Sequence, residues 1–250
     1  MPRDLGDVLH YLLPEAGGPC PETPLLAVPL LGRDLVRTAL LWNLAIEVAR
    51  QGARVTLVVP EGGGAIPWPE AGRGPLGVEV IEVAGDGPAE LARTAEAAAR
   101  PSGSRAQHLV LSGVPAPWLT KGADAGALLR WVVCLARPDE HESDESLALL
   151  RAVVEQTPRA QLGATIFGVR SLAEARHSFE WLAARVEREL ERPLTSYGVL
   201  IDDVQLSRSI VTRRPVALAQ PASSAARALA DVASLCLAEL RLVQGASLDG

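Results

Sequence analysis

The stretch that most constrains the fold runs from Pro24 to Glu61 and alternates between strand and helix patterns. A short apolar run comes first, then a loop with one glycine, then apolar residues at helical spacing, and last the apolar run Val55–Val59. Gly52 stands where the C-terminus of a helix favours a left-handed residue. This order predicts a βαβ unit with buried parallel strands. Because the loop before such a helix points backbone N–H groups at a bound phosphate, the question of function centres on Gly32–Thr38.

The rest of the chain continues the alternation of strands and helices without a clear break. We therefore predict one α/β domain with a mostly parallel central sheet and helices on both faces. The predicted boundaries are a short helix and linker at 1–23, the α/β domain at 24–242 and a tail at 243–250. The later strands and helices are expected at Val78–Val83, Pro88–Arg100, His108–Ser112, Trp131–Pro138, Glu145–Gln156, Ala160–Val169 and Leu172–Leu190, followed by a last helix that ends near Leu242.

Composition excludes several classes of protein. The chain has 250 residues, of which 48% are hydrophobic and 22% charged, and a formal net charge of −6, so the total charge does not suggest a nucleic-acid surface. No signal-peptide pattern opens the sequence, and no apolar run reaches the roughly 20 residues of a membrane span, so we expect a cytoplasmic protein. The cysteines Cys20, Cys134 and Cys236 lie far apart and are expected to be small buried hydrophobic residues.

Lys121 is the only lysine in the sequence. It lies outside any pattern of the form Gly-x-x-x-x-Gly-Lys-Ser/Thr, in which a lysine ammonium contacts the β- and γ-phosphates of a nucleotide. The sequence therefore lacks the usual phosphate-binding lysine.

The order and spacing of the elements resemble the MinD/ParA family of ATPases with a deviant Walker A loop, and most of all the MinD-like regulators of flagellar number and placement. The chain shares Asn43-Leu44-Ala45, the glycine at position 52 and Thr38, which stands at the family's Mg²⁺-binding position. Later stretches around Gly198–Asp203 and Gln220–Leu229 also follow the family's pattern. The resemblance covers roughly residues 24 to 242 and implies a three-layer domain of the P-loop NTPase type.

Most of the family's nucleotide-handling residues are replaced. Its signature lysine falls on Gly32 and its P-loop lysine on Arg37, and the loop glycines fall on Arg33, Asp34 and Val36. The D-x-D motif becomes Val59-Pro60-Glu61, the Walker B aspartate falls on Gly113, and the asparagine that recognises adenine falls on Phe167 or Gly168.

These replacements predict a pseudo-ATPase without catalytic residues, cofactor or metal. Side chains at Arg33 and Asp34 stand where backbone must approach phosphate, and the planar guanidinium of Arg37 does not replace a compact ammonium in a tight loop. Hydrolysis relies on about 8 kcal/mol or more of stabilisation that nothing here supplies. The resemblance implies a regulatory scaffold that binds proteins and forms a homodimer, or a heterodimer with an active paralogue. It also suggests a role in positioning a cell-surface or division machine, with neither nucleic acid nor a stable membrane anchor.

Two other functions remain open at this point. A nucleotide switch would use a rewired loop with Arg33, Arg37 and Thr38, and a sensor would bind another small molecule in the cleft.

Two local features of the sequence can each be interpreted in two ways. The contiguous Glu140–Asp144, which includes His141, favours a solvated loop over a metal site, and the amphipathic stretch Asp4–Pro14 either packs on its own domain or docks on a partner.

Overall fold

The computed structural model describes residues 24–30, 35–61, 70–85, 87–100, 107–120, 125 and 128–246. Several predictions concern residues outside these ranges, namely the N-terminal helix at 4–14, the loop positions Gly32, Arg33 and Asp34, and the environment of Cys20.

The described strands form one eight-stranded sheet in the order β3-β4-β2-β5-β1-β6-β7-β8. The paired strands run parallel except for β3, which is antiparallel to β4. The prediction of a mostly parallel sheet is confirmed. The strands are β1 (Leu25–Leu30), β2 (Arg54–Pro60), β3 (Gly72–Arg73), β4 (Glu79–Val83), β5 (His108–Pro115), β6 (Trp131–Ala136), β7 (Gln161–Val169) and β8 (Thr195–Ile201).

Helices cover both faces of this sheet and make three layers. A short 3₁₀ turn (Pro75–Gly77) precedes β4. The α-helices are α1 (Leu35–Arg50), α2 (Pro88–Ala99), α3 (Ala116–Thr120), α4 (Glu140–Gln156), α5 (Leu172–Leu190), α6 (Val204–Thr212), α7 (Val216–Ala219) and α8 (Ser224–Ala246). One core packs α1, α7 and α8 on the sheet, and the other packs α2, α3, α4 and α5 on the opposite face.

Alternate residues of each central strand enter the two cores. In β1, Leu26 and Val28 face the α1 side, whereas Leu25 and Ala27 face the other side. Side chains alternate along a strand, so a strand covered on both faces is apolar at most positions, and β1 and β6 are apolar at all of theirs. This is why the strands could be recognised as continuous apolar runs.

Local capping sets several helix boundaries. Helix α5 begins and ends where predicted, and the Ser171 hydroxyl accepts a hydrogen bond from the Glu174 backbone N–H at 3.2 Å. The prediction for α4 was wrong: the helix begins at Glu140 rather than Glu145, because Asp139 is the N-cap and accepts from the Glu142 backbone N–H at 2.9 Å. The acidic stretch is therefore the first turn of a helix and not a loop.

Helix α1 also begins earlier than the sequence suggested. It starts at Leu35, so Arg37 and Thr38 belong to its first turn. At its other end, Gly52 has φ +94°, the left-handed conformation predicted for it.

Asn43, a residue of the shared Asn-Leu-Ala motif, joins α1 to α7. Its side chain is fully buried, donates to the Ala39 carbonyl at 2.8 Å and accepts from the Val216 backbone N–H at 2.6 Å. Asn43 thereby satisfies a donor at the start of α7, where the N-cap residue provides no side-chain acceptor.

Asp203 performs a similar task after β8. One carboxylate oxygen caps α6 by accepting from the Gln205 N–H at 2.8 Å, and the other accepts from the Ala225 N–H of α8 at 2.9 Å. Asn43 and Asp203 both belong to stretches that resemble the family's sequence pattern, and both hold helices in place.

The titratable groups away from the sheet's carboxyl edge have structural explanations. Cys134 and Cys236 are buried, as predicted, and burial raises the pKa of both thiols, that of Cys236 to about 12. His108 lies at the first residue of β5 between Arg54 (Nη2 to Nδ1, 2.9 Å) and Thr56 (Oγ1 to Nε2, 3.0 Å). Burial, followed by the Arg54 charge, lowers the pKa of His108 from 6.5 to about 4.

Candidate functional site

The first turn of α1 lies over the carboxyl end of β6, and Arg37 makes the contact. Its side chain is only 3% exposed, and its Nε donates to the Leu135 carbonyl at 2.8 Å. Its Nη2 donates to the Glu142 carboxylate at 2.6 Å. A buried guanidinium is stable only when its charge and donors are satisfied, and here α1, β6 and α4 satisfy them together.

Phe167, near the end of β7, connects two arginines. The guanidinium carbons of Arg37 and Arg137 each lie 5.1 Å from the centroid of its ring, which is within cation–π range. Arg137 Nε is 3.8 Å from Glu142 Oε1, so both arginines face the same carboxylate. We call Arg37, Arg137, Glu142 and Phe167 the arginine cluster.

The local sequence explains how Glu142 reaches this cluster. Asp139 ends the loop after β6 and caps α4, which fixes Glu142 in the first helical turn. The Ser143 hydroxyl donates to the Arg137 carbonyl at 3.3 Å and holds the turn against the preceding loop. The Glu142 side chain is 25% exposed, and that of Arg137 is 42% exposed. The cluster therefore has a buried side at Arg37 and an open side at Arg137.

Gly113, the position of the expected Walker B aspartate, lies beneath apolar side chains. A Cβ atom on this glycine would lie 2.8 Å from Leu30 Cδ1 and 3.1 Å from Leu41 Cδ2. A Cβ atom this close would require the ends of these two side chains to shift, so leucines of β1 and α1 occupy the space above the glycine.

The remaining predicted positions lie near Gly113 in the sheet. Val58 pairs with Ser112, which places Val59 level with Gly113 on the adjacent strand. Val59 is half-buried against the α1-side core, and Glu61 is exposed, with its backbone N–H bonded to the Val83 carbonyl at 2.9 Å.

The predicted site residues thus fall into two groups. Val59 and Gly113 lie on β2 and β5, whereas Arg37 reaches β6 and β7 on the other side of β1. Thr38 is half-buried in the first turn of α1. Gly32, Arg33 and Asp34 lie outside the described residues, so their relation to either group is not described.

Sequence reasoning missed Glu142 and Arg137 as site residues. Both lie about a hundred positions from Arg37 along the chain, and the acidic stretch that contains Glu142 was interpreted as a solvated loop. The available signal was the position of Glu142, three residues after an N-cap, where a carboxylate is also favoured by the helix dipole.

The described residues offer neither a metal site nor a membrane-spanning helix. His141 lies 3.5 Å from Glu145 on an exposed face of α4, and the described part of the chain contains no group of three or more histidine, cysteine and acidic residues able to hold a metal ion. No helix among the described residues is both long and apolar enough to span a bilayer.

Comparison with solved structures supports the expected fold. The chain is similar to the MinD cell division protein of Aquifex aeolicus, with a TM-score of 0.62 and 13% identity over 86% of this chain and 97% of that chain. It is similar to a MinC:MinD cell division protein complex of the same organism, with a TM-score of 0.60 and 13% identity over 86% of this chain and 96% of that chain. A ParA family ATPase from Chlorobium tepidum TLS gives a TM-score of 0.59 and 11% identity over 85% of this chain and 98% of that chain.

No protein-family model matches the chain, and a search of curated proteins finds no match either. At identities this low, structural similarity establishes the fold and not the activity. The chain has an α/β fold like that of the MinD and ParA structures.

Proposed function

We propose that this chain is a pseudo-ATPase: a MinD/ParA-like domain that does not hydrolyse ATP and acts by binding other proteins. The observation that carries the proposal is the arginine cluster. The residue at the family's P-loop lysine position is buried and bonded to Glu142, Leu135 and Phe167 of the same chain. A phosphate would have to displace the carboxylate before it could use this cation.

Arg37 should bind the Glu142 carboxylate in preference to the phosphate of a free nucleotide. Glu142 is held near Arg37 by a capped helix, so the ion pair forms without the translational and rotational entropy that a free ligand loses on binding. A nucleotide phosphate that replaced Glu142 would also leave the carboxylate without Arg37. Both effects disfavour a ligand at this position.

The packing around Gly113 supports the same proposal. An aspartate that orders Mg²⁺ through its water shell needs an open, hydrated position at this point of the sheet. Leu30 and Leu41 instead pack over the glycine. Phosphoryl transfer depends both on a carboxylate that orders the metal and on a cation that contacts the phosphates. With glycine at position 113 and Arg37 bound to Glu142, this chain lacks both.

We also propose that the domain binds protein partners. One of the similar structures is a complex of MinC with MinD. By analogy, we propose that this chain presents a fixed surface to a regulator in the cytoplasm, as a homodimer or paired with an active paralogue. The most specific function that this analogy suggests is the positioning of a cell-surface or division machine.

The alternative is a nucleotide- or small-molecule-binding switch, and one observation favours it. Arg37 and Arg137 bring two positive charges to one carboxylate, and the open side of the cluster at Arg137 would admit an anion. In this alternative, Arg33, Arg37 and Thr38 would hold the ligand after Glu142 moves away.

Calorimetric titration of the full-length chain with ATP and Mg²⁺, together with a phosphate-release assay, tests the proposal. We expect neither binding heat nor turnover. Micromolar binding with turnover would end the pseudo-ATPase proposal, whereas binding without turnover would favour the switch. If binding occurs, Arg37→Met should abolish it, and the control Arg93→Met, which removes a 73% exposed arginine of α2 with an exposed partner, should leave it unchanged.

A further inference from the structure

Helix α6 carries apolar side chains on its solvent face. Val204 is 73% exposed and Val211 is 83% exposed. Together with Arg208 they lie at positions i, i+4 and i+7, which places all three on one side of the helix, opposite the buried Ser209. Valine is a poor choice for an exposed helical position because it loses side-chain entropy there, so a stripe of this kind is typical of a contact surface.

The same surface is basic in an acidic protein. Residues 204–219 contain the three arginines Arg208, Arg213 and Arg214 and no acidic residue, whereas the whole chain has a formal net charge of −6. All three arginines are exposed. Leu218, on the short helix α7 that follows α6, is also exposed at 42%. We call this area, comprising Val204, Arg208, Val211, Arg213, Arg214 and Leu218, the α6–α7 surface.

The N-terminal segment of this chain has the complementary chemistry. Leu5, Val8, Leu9 and Leu12 are spaced at i, i+3, i+4 and i+7, the pattern of an amphipathic helix with one apolar face. Residues 1–23 contain four acidic residues against one arginine. An acidic, apolar peptide fits a basic, apolar surface in both hydrophobicity and charge.

The linker between them is comparable in length with the straight-line distance that separates them. Strand β8, which leads into α6, is three strands from β1, about 14 Å at ~4.8 Å per strand. Passing from the start of β1 to the far end of β8 adds about 23 Å along the strand, so the diagonal is about 27 Å. The nine residues Glu15–Thr23 span about 30 Å when extended. Their glycines and prolines disfavour a competing helix.

We propose that the segment Asp4–Pro14 packs as an amphipathic helix on the α6–α7 surface of its own chain. Its leucine and valine stripe covers Val204 and Val211, and Asp4 and Asp7 lie near the three arginines. The segment then shields from water the most exposed large apolar side chains among the described residues.

Cross-linking in the full-length chain tests this arrangement. Cys20→Ser removes the linker thiol, and Cys134 and Cys236 are buried and protected from maleimides. In this background, Val8→Cys is combined with Ser207→Cys, an exposed position beside the stripe, and treated with a short bismaleimide. The matched control combines Val8→Cys with Leu76→Cys. Leu76 is 53% exposed and precedes β4, which is also three strands from β1 and starts at the same edge of the sheet, so a freely moving segment would reach it at least as easily.

We expect the 8–207 pair to link at least tenfold faster than the 8–76 pair, giving a product with the mass of one chain. Reversing charge on either side (Asp4→Arg with Asp7→Arg, or Arg208→Glu with Arg213→Glu) should slow linking at least fivefold, and combining the two reversals should restore it. Equal rates for the two pairs, or failure of the combined reversal to restore linking, would overturn the proposal. A product with the mass of two chains would assign the surface to the segment of a second copy instead and would also overturn it.

Discussion

The ion pair between Arg37 and Glu142 gives the most direct test of the reasoning about the site. Glu142→Gln keeps the shape of the side chain but removes the negative charge next to a guanidinium that is only 3% exposed. Leaving a buried charge without its partner costs about 3–5 kcal/mol, and fully exposed pairs contribute at most about 1 kcal/mol. Because Glu142 is 25% exposed and Arg37 keeps the Leu135 carbonyl, we expect a loss of about 2–4 kcal/mol.

Urea unfolding followed by circular dichroism measures this loss, and a thermal melt should show a midpoint lower by about 5–10 °C. Glu145→Gln is the matched control, since Glu145 lies one turn further along α4 and is 44% exposed. It should cost less than about 0.5 kcal/mol. In a double-mutant cycle, Arg37→Met combined with Glu142→Gln should cost less than the sum of the single changes by about 1–3 kcal/mol.

Two results would refute the reasoning. If Glu142→Gln costs no more than Glu145→Gln, the pair does not stabilise the fold. If the cycle shows no coupling, Arg37 and Glu142 act independently in solution. A further measurement links stability to function: added phosphate should raise the melting temperature of the Glu142→Gln variant more than that of the wild type, because Arg37 then lacks its internal carboxylate.

Three further predictions concern the scaffold. Asn43→Leu should lower the free energy of unfolding by about 1–3 kcal/mol in denaturant titration, because the Val216 N–H loses its acceptor in the core; an unchanged midpoint would contradict this role. Gly113→Ala should cost about 1–3 kcal/mol by crowding Leu30, and Gly113→Asp more, without Mg²⁺ binding by calorimetry; tight Mg²⁺ binding by Gly113→Asp would show that the position remains open. Stability should fall as the pH drops from 6.5 to about 4, since the unfolded chain protonates His108 there while the folded chain does not, and His108→Gln should flatten this part of the curve.

The fold could be predicted because its signals are local. Strands β1 and β6 are apolar at every position, and helix α5 has its cap within its own sequence at Ser171 and Glu174. The glycine after α1 marks the end of that helix through its own backbone conformation. None of these signals depends on a distant residue.

The arginine cluster could not be predicted because its parts come from distant positions. Arg37 and Glu142 are separated by 105 residues, and Phe167 belongs to yet another strand. The sequence indicated that the P-loop lysine is replaced, but it gave no indication of which carboxylate the arginine would find. Likewise, the glycine at position 113 indicated a missing carboxylate, whereas the leucines that fill the space follow only from the register of β1 on β5.

The buried state of Arg37 has a consequence for regulation in the cell. A domain whose buried cation is left free for a phosphate would change its charge balance, and with it its conformation, each time the ligand binds or leaves. If the proposed function is correct, this chain carries its own counter-ion on α4 and keeps one shape whatever the ratio of ATP to ADP. Its output would then depend on how much of it is synthesised and degraded.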